Sequence, residues 1–402
     1  MTSMPPRPLR VLHVMGGLDI GGVETWLLNL VRRADRARLA MDFLLHTDEQ
    51  CAYEAEVRSF GAEILRCPRN PLPTYLRNLW GAMRSKYDVV HSHVHAYSGW
   101  ILSVAALAGV PVRIAHSHLD TREQDLRPSS LITSTQPGPP PPAPIRSLRR
   151  VYVRAMKRLI RRHATAGFAA SHEAGRALFG DLWGVDPRWS LLRCGIDTSA
   201  FEQPARPALR HELGIGAGAF VIGHVGRFEE QKNHAFLVPL AREIARLEPA
   251  AHFLLVGDGP LRGTLEKRIE EAGLRDRFTL TGQRRDVAAL MVGAMDAFVL
   301  PSLYEGLPLV LVEAQAAGLP CLVSDTVSPE SSVVEGLVAH ESLQDPPETW
   351  AARLSRFPRT RTPEERRRAL SAVQGSPFDS GSNLALLHET YARLRSRVTP
   401  WK

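Results

Sequence analysis

The chain has 402 residues, of which 44% are hydrophobic and 23% are charged, and its formal net charge is +8. These proportions are ordinary for a globular protein and exclude a chain that is disordered throughout, while the length favours two domains over one hydrophobic core. The positive charge favours an anionic partner, and nucleic acid, a lipid surface and a phosphorylated substrate all meet that condition.

The four cysteines are scattered along the chain, at Cys51, Cys67, Cys194 and Cys321. Their spacing predicts neither a usual zinc site nor a disulfide framework, and it favours a reducing, cytoplasmic environment. The N-terminal segment lacks the apolar region of a signal peptide, and the longest apolar stretch, WILSVAALAGVPV, is shorter than the ~20 residues of a membrane-spanning helix. We therefore expect a cytoplasmic protein that is not integral to a membrane.

Strand-like and helical segments alternate along the first half of the chain. LRVLHVM predicts a strand, which is followed by the loop GGLDIGGVE and an amphipathic helix through Leu30. DVVHSHVH, VRIAHSH and TAGFAAS predict further short strands, separated by helical segments such as GWILSVAALAG. This alternation is typical of a doubly wound parallel sheet, which binds ligands at the carboxyl ends of its strands.

A Pro- and Ser-rich segment, residues 126–147, interrupts this alternation and predicts a loop without regular structure. It leads into a basic amphipathic helix from Arg146 to His163, with the sequence RSLRRVYVRAMKRLIRRH. Two interpretations of this helix are open. It packs on its own domain with a solvated basic face, or it forms a patch that binds an anionic membrane surface or an acidic acceptor.

The pattern starts again after LLRCGIDTSAFEQPARP, a Gly- and Pro-containing stretch that is typical of a linker. FVIGHVGRF, HFLLVGDG, RFTLTGQ, DAFVLPS and PCLVSD predict a second set of strands, and residues 380–397 predict a helix. We therefore predict two Rossmann-like, doubly wound α/β domains that face a central cleft. The first spans residues 1–196, the second spans residues 197–379, and a helical tail at 380–402 packs back toward the first.

Two glutamates lie in YEGLPLVLVEAQAAGLP, a segment that is otherwise almost wholly apolar. Pro308 fits the first position of a helix that ends at Gly318 and Pro320, so Glu305 lies in the loop before the helix and Glu313 in its second turn. A helix N-terminus attracts phosphate, and carboxylates accept hydrogen bonds from sugar hydroxyls, so the segment indicates a nucleotide-sugar site. The structural alternative is that the first glutamate caps the helix and the second pairs with an arginine.

GHVGRFEEQKNH places two cations, Arg227 and Lys232, in the loop after a predicted strand. Cations at the carboxyl edge of a parallel sheet can hold a diphosphate leaving group without a metal. LLVGDGPL adds Gly257 and Gly259 at another strand end, where a backbone without side chains can approach a ligand closely. Taken alone, the two cations also fit an ordinary solvated charge pair.

These segments together resemble glycosyltransferase family 4. The resemblance rests on GGLDIGGVETW, DVVHSHVH, RIAHSH, GRFEEQKNH, LLVGDGPLR and AFVLPSLYEGLPLVLVEAQAAGLPCLVSD. It extends from about Leu9 to Leu343 and is nearest to the bacterial capsule and exopolysaccharide branch. It implies a GT-B fold and a retaining transfer from a nucleoside-diphosphate sugar, usually UDP-linked, to a polysaccharide or lipid-linked saccharide. It also implies no metal and no cofactor, since the nucleotide sugar is a substrate.

The resemblance assigns roles to residues in the second half of the chain. It implies that Glu305 contacts hydroxyls of the donor sugar, that Glu313 binds the ribose, and that Arg227 and Lys232 neutralise the diphosphate. The loop TGQRRD, Thr281 to Asp286, corresponds to the stretch that lies against the base.

Further donor contacts are expected from Arg284 in that loop and from Gly306 and Leu307, which follow the first glutamate. In the first half, the Gly-rich loop places Gly21 and Gly22 near the donor phosphates or the acceptor. We assign Gly22 to the donor and Gly21 to the acceptor side.

Five histidines lie near two predicted strand ends, at His91, His93, His95, His116 and His118. Alternation places the first three on one face, which would allow a metal site, but no Asp, Glu or Cys accompanies them at ligand spacing and we predict no metal. His118 matches the family's active-site histidine, which lies beside the donor sugar. His93 is a weaker candidate for the acceptor pocket, and the other histidines are interpreted as structural.

No pair of carboxylates in the first domain presents itself as an enzymic nucleophile, which agrees with front-face attack assisted by the departing phosphate. Cys194 stands in RCGID where the family commonly has Asn. Two other functions are open: a GT-B sugar-nucleotide epimerase, and a basic nucleic-acid-binding protein, against which the absence of aromatics among the arginines argues. We therefore expect no nucleic-acid partner. The residues expected to act in catalysis are His118, Arg227, Lys232 and Glu305.

Overall fold

The computed structural model of the protein describes residues 7–118, 143–204, 206 and 208–397. These residues form two compact units: residues 7–118, 143–195 and 380–397 make the first, and Ile196–Asp379 the second. Residues 126–142 of the predicted Pro-rich loop lie outside the described residues. A helix begins at Ala143, so the loop prediction is wrong for residues 143–147. Proline is tolerated in the first turn of a helix, where its missing N–H needs no partner.

The first unit contains one parallel sheet. Its strands are β1 (Leu9–Met15), β2 (Leu39–Leu45), β3 (Ile64–Arg66), β4 (Val89–Ser92), β5 (Val112–Ser117), β6 (Ala166–Ala169) and β7 (Trp189–Leu191). They are ordered β3-β2-β1-β4-β5-β6-β7. All seven residues of β2 are buried, as expected for a strand covered on both faces. Strands β2, β3 and β7 were not among those predicted.

Helices cover this sheet. They are α1 (Gly22–Arg33), α2 (Glu54–Ser59), α3 (Leu72–Met83), α4 (Ser98–Leu107), α5 (Ala143–His163), α6 (His172–Phe179) and, from the end of the chain, α14 (Ser380–Arg397). Helix α14 is joined to this unit by side-chain hydrogen bonds from Trp26 to Asn383 and between His91 and Tyr391. Among the helices that the structure describes, none combines the length and the apolar character needed to cross a membrane.

The second unit contains a second parallel sheet. Its strands are β8 (Phe220–Val225), β9 (Ala251–Val256), β10 (Phe278–Leu280), β11 (Ala297–Leu300), β12 (Cys321–Ser324) and β13 (Val338–Glu341), in the order β10-β9-β8-β11-β12-β13. Its helices are α7 (Ala208–Glu212), α8 (His234–Leu247), α9 (Arg262–Glu271), α10 (Val287–Gly293), α11 (Leu309–Ala316), α12 (Pro347–Leu354) and α13 (Pro363–Gln374).

Strand β11 shows why this sheet needs helices on both faces. Phe298 and Leu300 enter one buried cluster, which contains apolar side chains of α10 and α11. Ala297 and Val299 enter another, which contains side chains of α8 and α12. Because successive side chains of a strand point to opposite faces, an all-apolar strand is stable only between two layers of helices. The two parallel sheets with their helices confirm the predicted α/β fold class.

The strand orders identify where ligands bind in such sheets. Winding reverses between β1 and β4 in the first unit and between β8 and β11 in the second. In open α/β sheets the ligand crevice lies outside the carboxyl ends of the strands at this reversal. The Gly-rich loop and His93 follow β1 and β4, while the loops carrying Lys232 and Glu305 follow β8 and β11.

Candidate functional site

In the second unit, Lys232 and Glu305 form an ion pair at the carboxyl edge of β8 and β11. The Lys232 Nζ to Glu305 Oε1 distance is 2.6 Å, and the two side chains are only 17% and 6% exposed. Gln231 donates from Nε2 to the other oxygen of Glu305 at 3.3 Å and to the carbonyl of Tyr304 at 3.0 Å. The Leu303 N–H in turn donates to the Gln231 carbonyl. These bonds hold the two loops together and fix the carboxylate beside the cation.

Glu305 does not cap helix α11. The helix begins at Leu309 with Pro308 at the N-cap position, and no side chain caps it. The capping alternative is therefore wrong, and the prediction that Pro308 is the first helical residue is off by one. Gly318 has a positive φ of 74° just beyond the helix end, which confirms the predicted stop.

Glu313 lies in the second turn of α11, and its carboxyl has no hydrogen bond or ion pair to any residue that the structure describes. The alternative in which it pairs with an arginine is therefore wrong within the described residues. Burial raises its pKa from 4.5 to about 7, because a poorly solvated carboxylate is disfavoured when no donor compensates it. Hydroxyl groups of a ligand would supply the missing donors.

Arg227 differs from Lys232 in its surroundings. Its side chain is 65% exposed and pairs with Glu229 at 3.0 Å. The two predicted diphosphate-binding cations thus lie on one loop, one shielded beside a carboxylate and one reaching into solvent. An exposed arginine can reorient toward an arriving phosphate at little cost, because a surface ion pair contributes little stability.

Gly257 and Gly259 pack against the loop that carries Arg227. A Cβ on Gly257 would lie 2.0 Å from the Gly226 carbonyl oxygen, and its φ of +140° disfavours any side chain. A Cβ on Gly259 would lie 2.6 Å from the carbonyl oxygen of Phe228. These glycines therefore serve a close approach between two loops, and their contact with a donor stays a prediction.

The remaining donor residues are placed as follows. Arg284 forms a two-bond ion pair with Asp286, at 2.7 and 2.6 Å, in the loop after β10. Gly306 is buried beside Glu305, and Leu307 packs against the apolar cluster under α11. Both hydrogen bonds hold the Arg284 guanidinium against Asp286 of the same loop. A nucleotide base would therefore contact the flat face of the guanidinium, or it would contact Asp286.

In the first unit, Gly21 is the N-cap of α1 and Gly22 its first residue. A Cβ on Gly21 would lie 2.4 Å from Oε2 of Glu24, so the glycine leaves space for this carboxyl to fold back over the helix start. Burial, with Asp19 nearby, raises the pKa of Glu24 to about 7. The sequence interpretation missed Glu24, because an acidic residue in the first helical turn is usually explained by the helix dipole.

The histidine cluster consists of His13, His91, His93, His116 and His118, whose rings meet at the carboxyl ends of β1, β4 and β5. Hydrogen bonds connect His13 Nδ1 to His93 Nε2 at 3.0 Å and His93 Nδ1 to His118 Nε2 at 2.9 Å. The sequence interpretation missed His13, which lies 80 residues before His93. The placement of His95 on the same face is wrong, since β4 ends at Ser92 and His95 begins a 3-10 turn with φ +49°.

Burial lowers the pKa of His118 to about 3 and those of His93 and His116 well below 6.5. These rings are therefore neutral at physiological pH and can both donate and accept a hydrogen bond. Cys194, which replaces the family's usual Asn, lies with its Sγ 3.4 Å from Nδ1 of His118. The replacement thus touches the predicted active-site histidine.

Two family models match the chain. “Glycosyl transferase 4-like domain” matches residues 21–195, and “Glycosyl transferases group 1” matches residues 205–372. The chain is 38% identical over 355 residues to “Putative glycosyltransferase EpsF” of Bacillus subtilis (strain 168), covering 86% of this chain and 87% of that protein. It is 32% identical over 249 residues to the UDP-Gal:alpha-D-GlcNAc-diphosphoundecaprenol alpha-1,3-galactosyltransferase of Escherichia coli, covering 60% and 59%.

Solved structures share the fold. Anabaena Alr3699/HepE in complex with UDP has a TM-score of 0.75 at 19% identity, covering 96% of this chain and 100% of that one. Sucrose-phosphate synthase from Thermosynechococcus elongatus has a TM-score of 0.70 at 19% identity, covering 97% and 100%. From the match over most of both chains to a relative in Bacillus subtilis and from the shared pair of parallel sheets, we conclude that the chain belongs to glycosyltransferase family 4 and has the GT-B fold.

Proposed function

We propose that this glycosyltransferase moves a sugar from a UDP-sugar to a polysaccharide or lipid-linked saccharide, with retention of configuration and without a metal. The observation that carries the proposal is the edge of β8 and β11. There, a shielded Lys232–Glu305 pair lies on the loops that also carry the exposed Arg227, and Glu313, in the helix that follows, has a carboxyl of raised pKa.

This arrangement matches the charges of a nucleoside-diphosphate sugar. Lys232 and Arg227 oppose the negative charge that develops on a departing diphosphate, and preorganised charges of this kind are usually the largest contribution to catalysis. Glu305, held by Lys232 and Gln231, presents a fixed acceptor to sugar hydroxyls. Glu313 gains hydrogen-bond donors when a ribose arrives.

The donor and acceptor classes are supported by what similar proteins are named for. The Escherichia coli relative is named for UDP-Gal and a diphosphoundecaprenol-linked acceptor. HepE from Anabaena also has a solved structure in complex with UDP-glucose. In the second unit Lys232 lies beside Glu305 at 2.6 Å, and this placement supports charge neutralisation by the cations of this loop.

We expect transfer to proceed in excess EDTA and to give a product with the anomeric configuration of the donor. The physical reason is that Lys232 and Arg227 supply the positive charge that a divalent ion provides in metal-dependent enzymes. The measurement uses UDP-sugars as donors and saccharides extracted from cell membranes as acceptors, with proton NMR of the linkage formed.

A reaction that stops with EDTA and returns with Mg²⁺ or Mn²⁺ would contradict the metal-free proposal. An inverted linkage would contradict retention, and GDP-sugars consumed in preference to UDP-sugars would contradict the proposed donor.

We also propose that helix α5 holds the enzyme at an anionic membrane surface, where a lipid-linked acceptor is found. Its residues Leu148 and Val151 are 72% and 61% exposed, although they are apolar. Met156 and Ile160 of the same helix are buried, so one face of the helix packs against the described part of its unit. Exposed arginines recur every fourth residue, at Arg150, Arg154, Arg158 and Arg162, which places them along one stripe.

The protein is expected to sediment with vesicles that contain phosphatidylglycerol at low salt and to be released as salt rises, because exposed charges are screened over about 10 Å at 0.1 M. Arg154→Glu with Arg158→Glu should abolish sedimentation. The matched control is Arg242→Glu with Arg268→Glu, which changes net charge equally at exposed positions of the second unit. If both double variants lose sedimentation equally, or if the protein also binds neutral vesicles, α5 is a solvated helix and not a membrane-binding one.

A further inference from the structure

The histidine cluster has more ring nitrogens than its hydrogen bonds use. Nε2 of His13, Nε2 of His91 and Nδ1 of His116 are buried and have no partner among the residues that the structure describes. A buried polar atom without a partner costs free energy, so each such atom calls for an explanation. One of the three, Nδ1 of His116, is a ligand atom of the site proposed below.

We propose that His93, His116 and His118 bind one divalent transition-metal ion of the Zn²⁺ class, each through one ring nitrogen. One ligand atom of each of these residues lies within 4.8 Å of those of the other two. The His93 Nδ1 to His118 Nε2 distance is 2.9 Å. Ligand nitrogens on tetrahedral zinc, at about 2.0–2.1 Å from the metal, are about 3.3 Å apart. These two nitrogens are therefore about 0.4 Å closer together than two ligand nitrogens on tetrahedral zinc.

The outward nitrogen of every proposed ligand already has a partner. His116 Nε2 donates to the Leu192 carbonyl at 3.1 Å, which leaves Nδ1 for the ion. His118 Nδ1 faces Cys194 Sγ, and His93 Nε2 faces His13 Nδ1. Each ring keeps one proton, on the nitrogen that faces away from the ion. Ligand histidines are almost always oriented by such outer hydrogen bonds.

The three histidines also select the kind of ion. Each ring offers one nitrogen toward the other two, and a neutral imidazole nitrogen has the lone pair that a metal needs. Imidazole nitrogens suit Zn²⁺, Ni²⁺ and Cu²⁺, whereas Mg²⁺ and Ca²⁺ require oxygen ligands. The fourth position of a three-histidine site is open to water or another ligand.

A second set, His13, His91 and His93, also brings its ligand atoms within 4.8 Å. In that set His13 would ligate through Nδ1, the nitrogen that faces His93, and its Nε2 would stay buried without a partner. The first set leaves no ligand without an outer hydrogen bond. We therefore assign the ion to His93, His116 and His118.

Binding at this place would compete with catalysis. The ion takes the lone pair of His118, which the family resemblance places beside the donor sugar, so zinc is expected to slow transfer and EDTA to restore it. This consequence alone rests on the proposed function. The ion itself is not required for the reaction.

The test measures metal binding to the full-length protein, without an affinity tag and without donor or acceptor. Zn²⁺ is titrated by competition with a fluorescent chelator, and Co²⁺ is followed by its visible absorption, which is intense when four-coordinate. We expect one ion per chain with micromolar or tighter affinity. His116→Gln should weaken binding at least about 100-fold, since outer hydrogen bonds alone are worth 10–100-fold. His91→Gln, a buried histidine outside the set, is the matched control and should bind normally.

No Zn²⁺ or Co²⁺ binding by the wild-type chain overturns the proposal without any variant. Loss in His91→Gln with normal binding in His116→Gln overturns the assignment in favour of the other set. If His116→Gln does not fold, the Co²⁺ spectrum of the wild type decides, because six-coordinate, weakly absorbing Co²⁺ would exclude a tetrahedral histidine site. If zinc binds but sugar transfer is unchanged, only the expected inhibition through His118 is wrong. If the protein binds zinc but transfers no sugar from any UDP-sugar, the zinc site stands and the proposed function fails.

Discussion

Lys232→Ala is expected to lower transfer by a factor of ~100 or more, the usual scale for losing a preorganised charge at a leaving group. It should also lower the free energy of unfolding by about 3–5 kcal/mol, because Glu305 keeps its charge in a shielded place without its cation. Arg227→Ala should lower transfer to a similar extent with little change in stability, since that side chain is 65% exposed. Steady-state kinetics and denaturant unfolding measure the two effects separately.

Lys232→Met combined with Glu305→Gln is the control for the stability loss. It removes both charges of the buried pair, so much of the stability should return while transfer stays low. Wild-type turnover in the Lys232→Ala, Arg227→Ala double variant would remove the leaving-group role from both cations. If Lys232→Met with Glu305→Gln regains activity as well as stability, the Lys232–Glu305 ion pair has a structural role and no role in catalysis.

The local pattern of the chain predicts most of the central strands. In β1, β5 and β11, short apolar runs are followed by Gly, Pro or polar loop residues, and the structure has strands there. Strand β2 was not predicted, and its segment LAMDFLL has a charged residue, Asp42, within an otherwise apolar run. In the structure Asp42 accepts hydrogen bonds from Arg10 and from the Glu63 N–H, and these tertiary partners are invisible to a local pattern.

The site shows the same division between local and long-range information. The positions of Glu305 and Glu313 relative to their helix follow from Pro308 and Gly318 and are right within one residue. The pairing of Lys232 with Glu305 joins residues 73 apart in the chain. No spacing rule reaches that far, and only the parallel sheet brings the two loops together.

The histidine cluster was underestimated for a related reason. Alternation along β4 places His91 and His93 on one face, but His13 and His116 reach them from neighbouring strands. The cluster therefore has no signature at fixed sequence spacing, because parallel strands in register place residues from distant segments side by side. The raised pKa of Glu24 likewise depends on burial and on Asp19, which its place in the first turn of α1 does not reveal.

Glu313→Gln is expected to have opposite effects on binding and on stability. If Glu313 holds the ribose, UDP and UDP-sugar should both bind about 10- to 100-fold more weakly, since a hydrogen bond to a charged group is worth about 1.5–3 kcal/mol. Glu305→Gln should leave UDP affinity nearly unchanged and lower sugar transfer, because its proposed partner is the sugar ring. Calorimetric titration with UDP and turnover of the same preparations separate the two roles.

The sign of the stability effect follows from the raised pKa of Glu313. The folded protein holds this proton to a pKa of about 7 and the unfolded chain only to 4.5. The free energy of unfolding therefore falls as pH rises from about 4.5 to 7 and loses nothing further from this group above that range. Glutamine cannot ionise, so without ligand Glu313→Gln should be more stable than the wild type at pH 8, by about 1–3 kcal/mol, and closely similar at pH 4.5.

A carboxylate that costs stability and strengthens nucleotide binding is kept for the ligand and not for the fold. The pH comparison makes this distinction without knowledge of the true donor sugar, because UDP contains the ribose. If Glu313→Gln loses stability at pH 8 and binds UDP normally, Glu313 has a stabilising partner within the protein and the ribose assignment fails. If it gains stability but binds UDP normally, the carboxyl is an unpaired buried group without a ribose to hold.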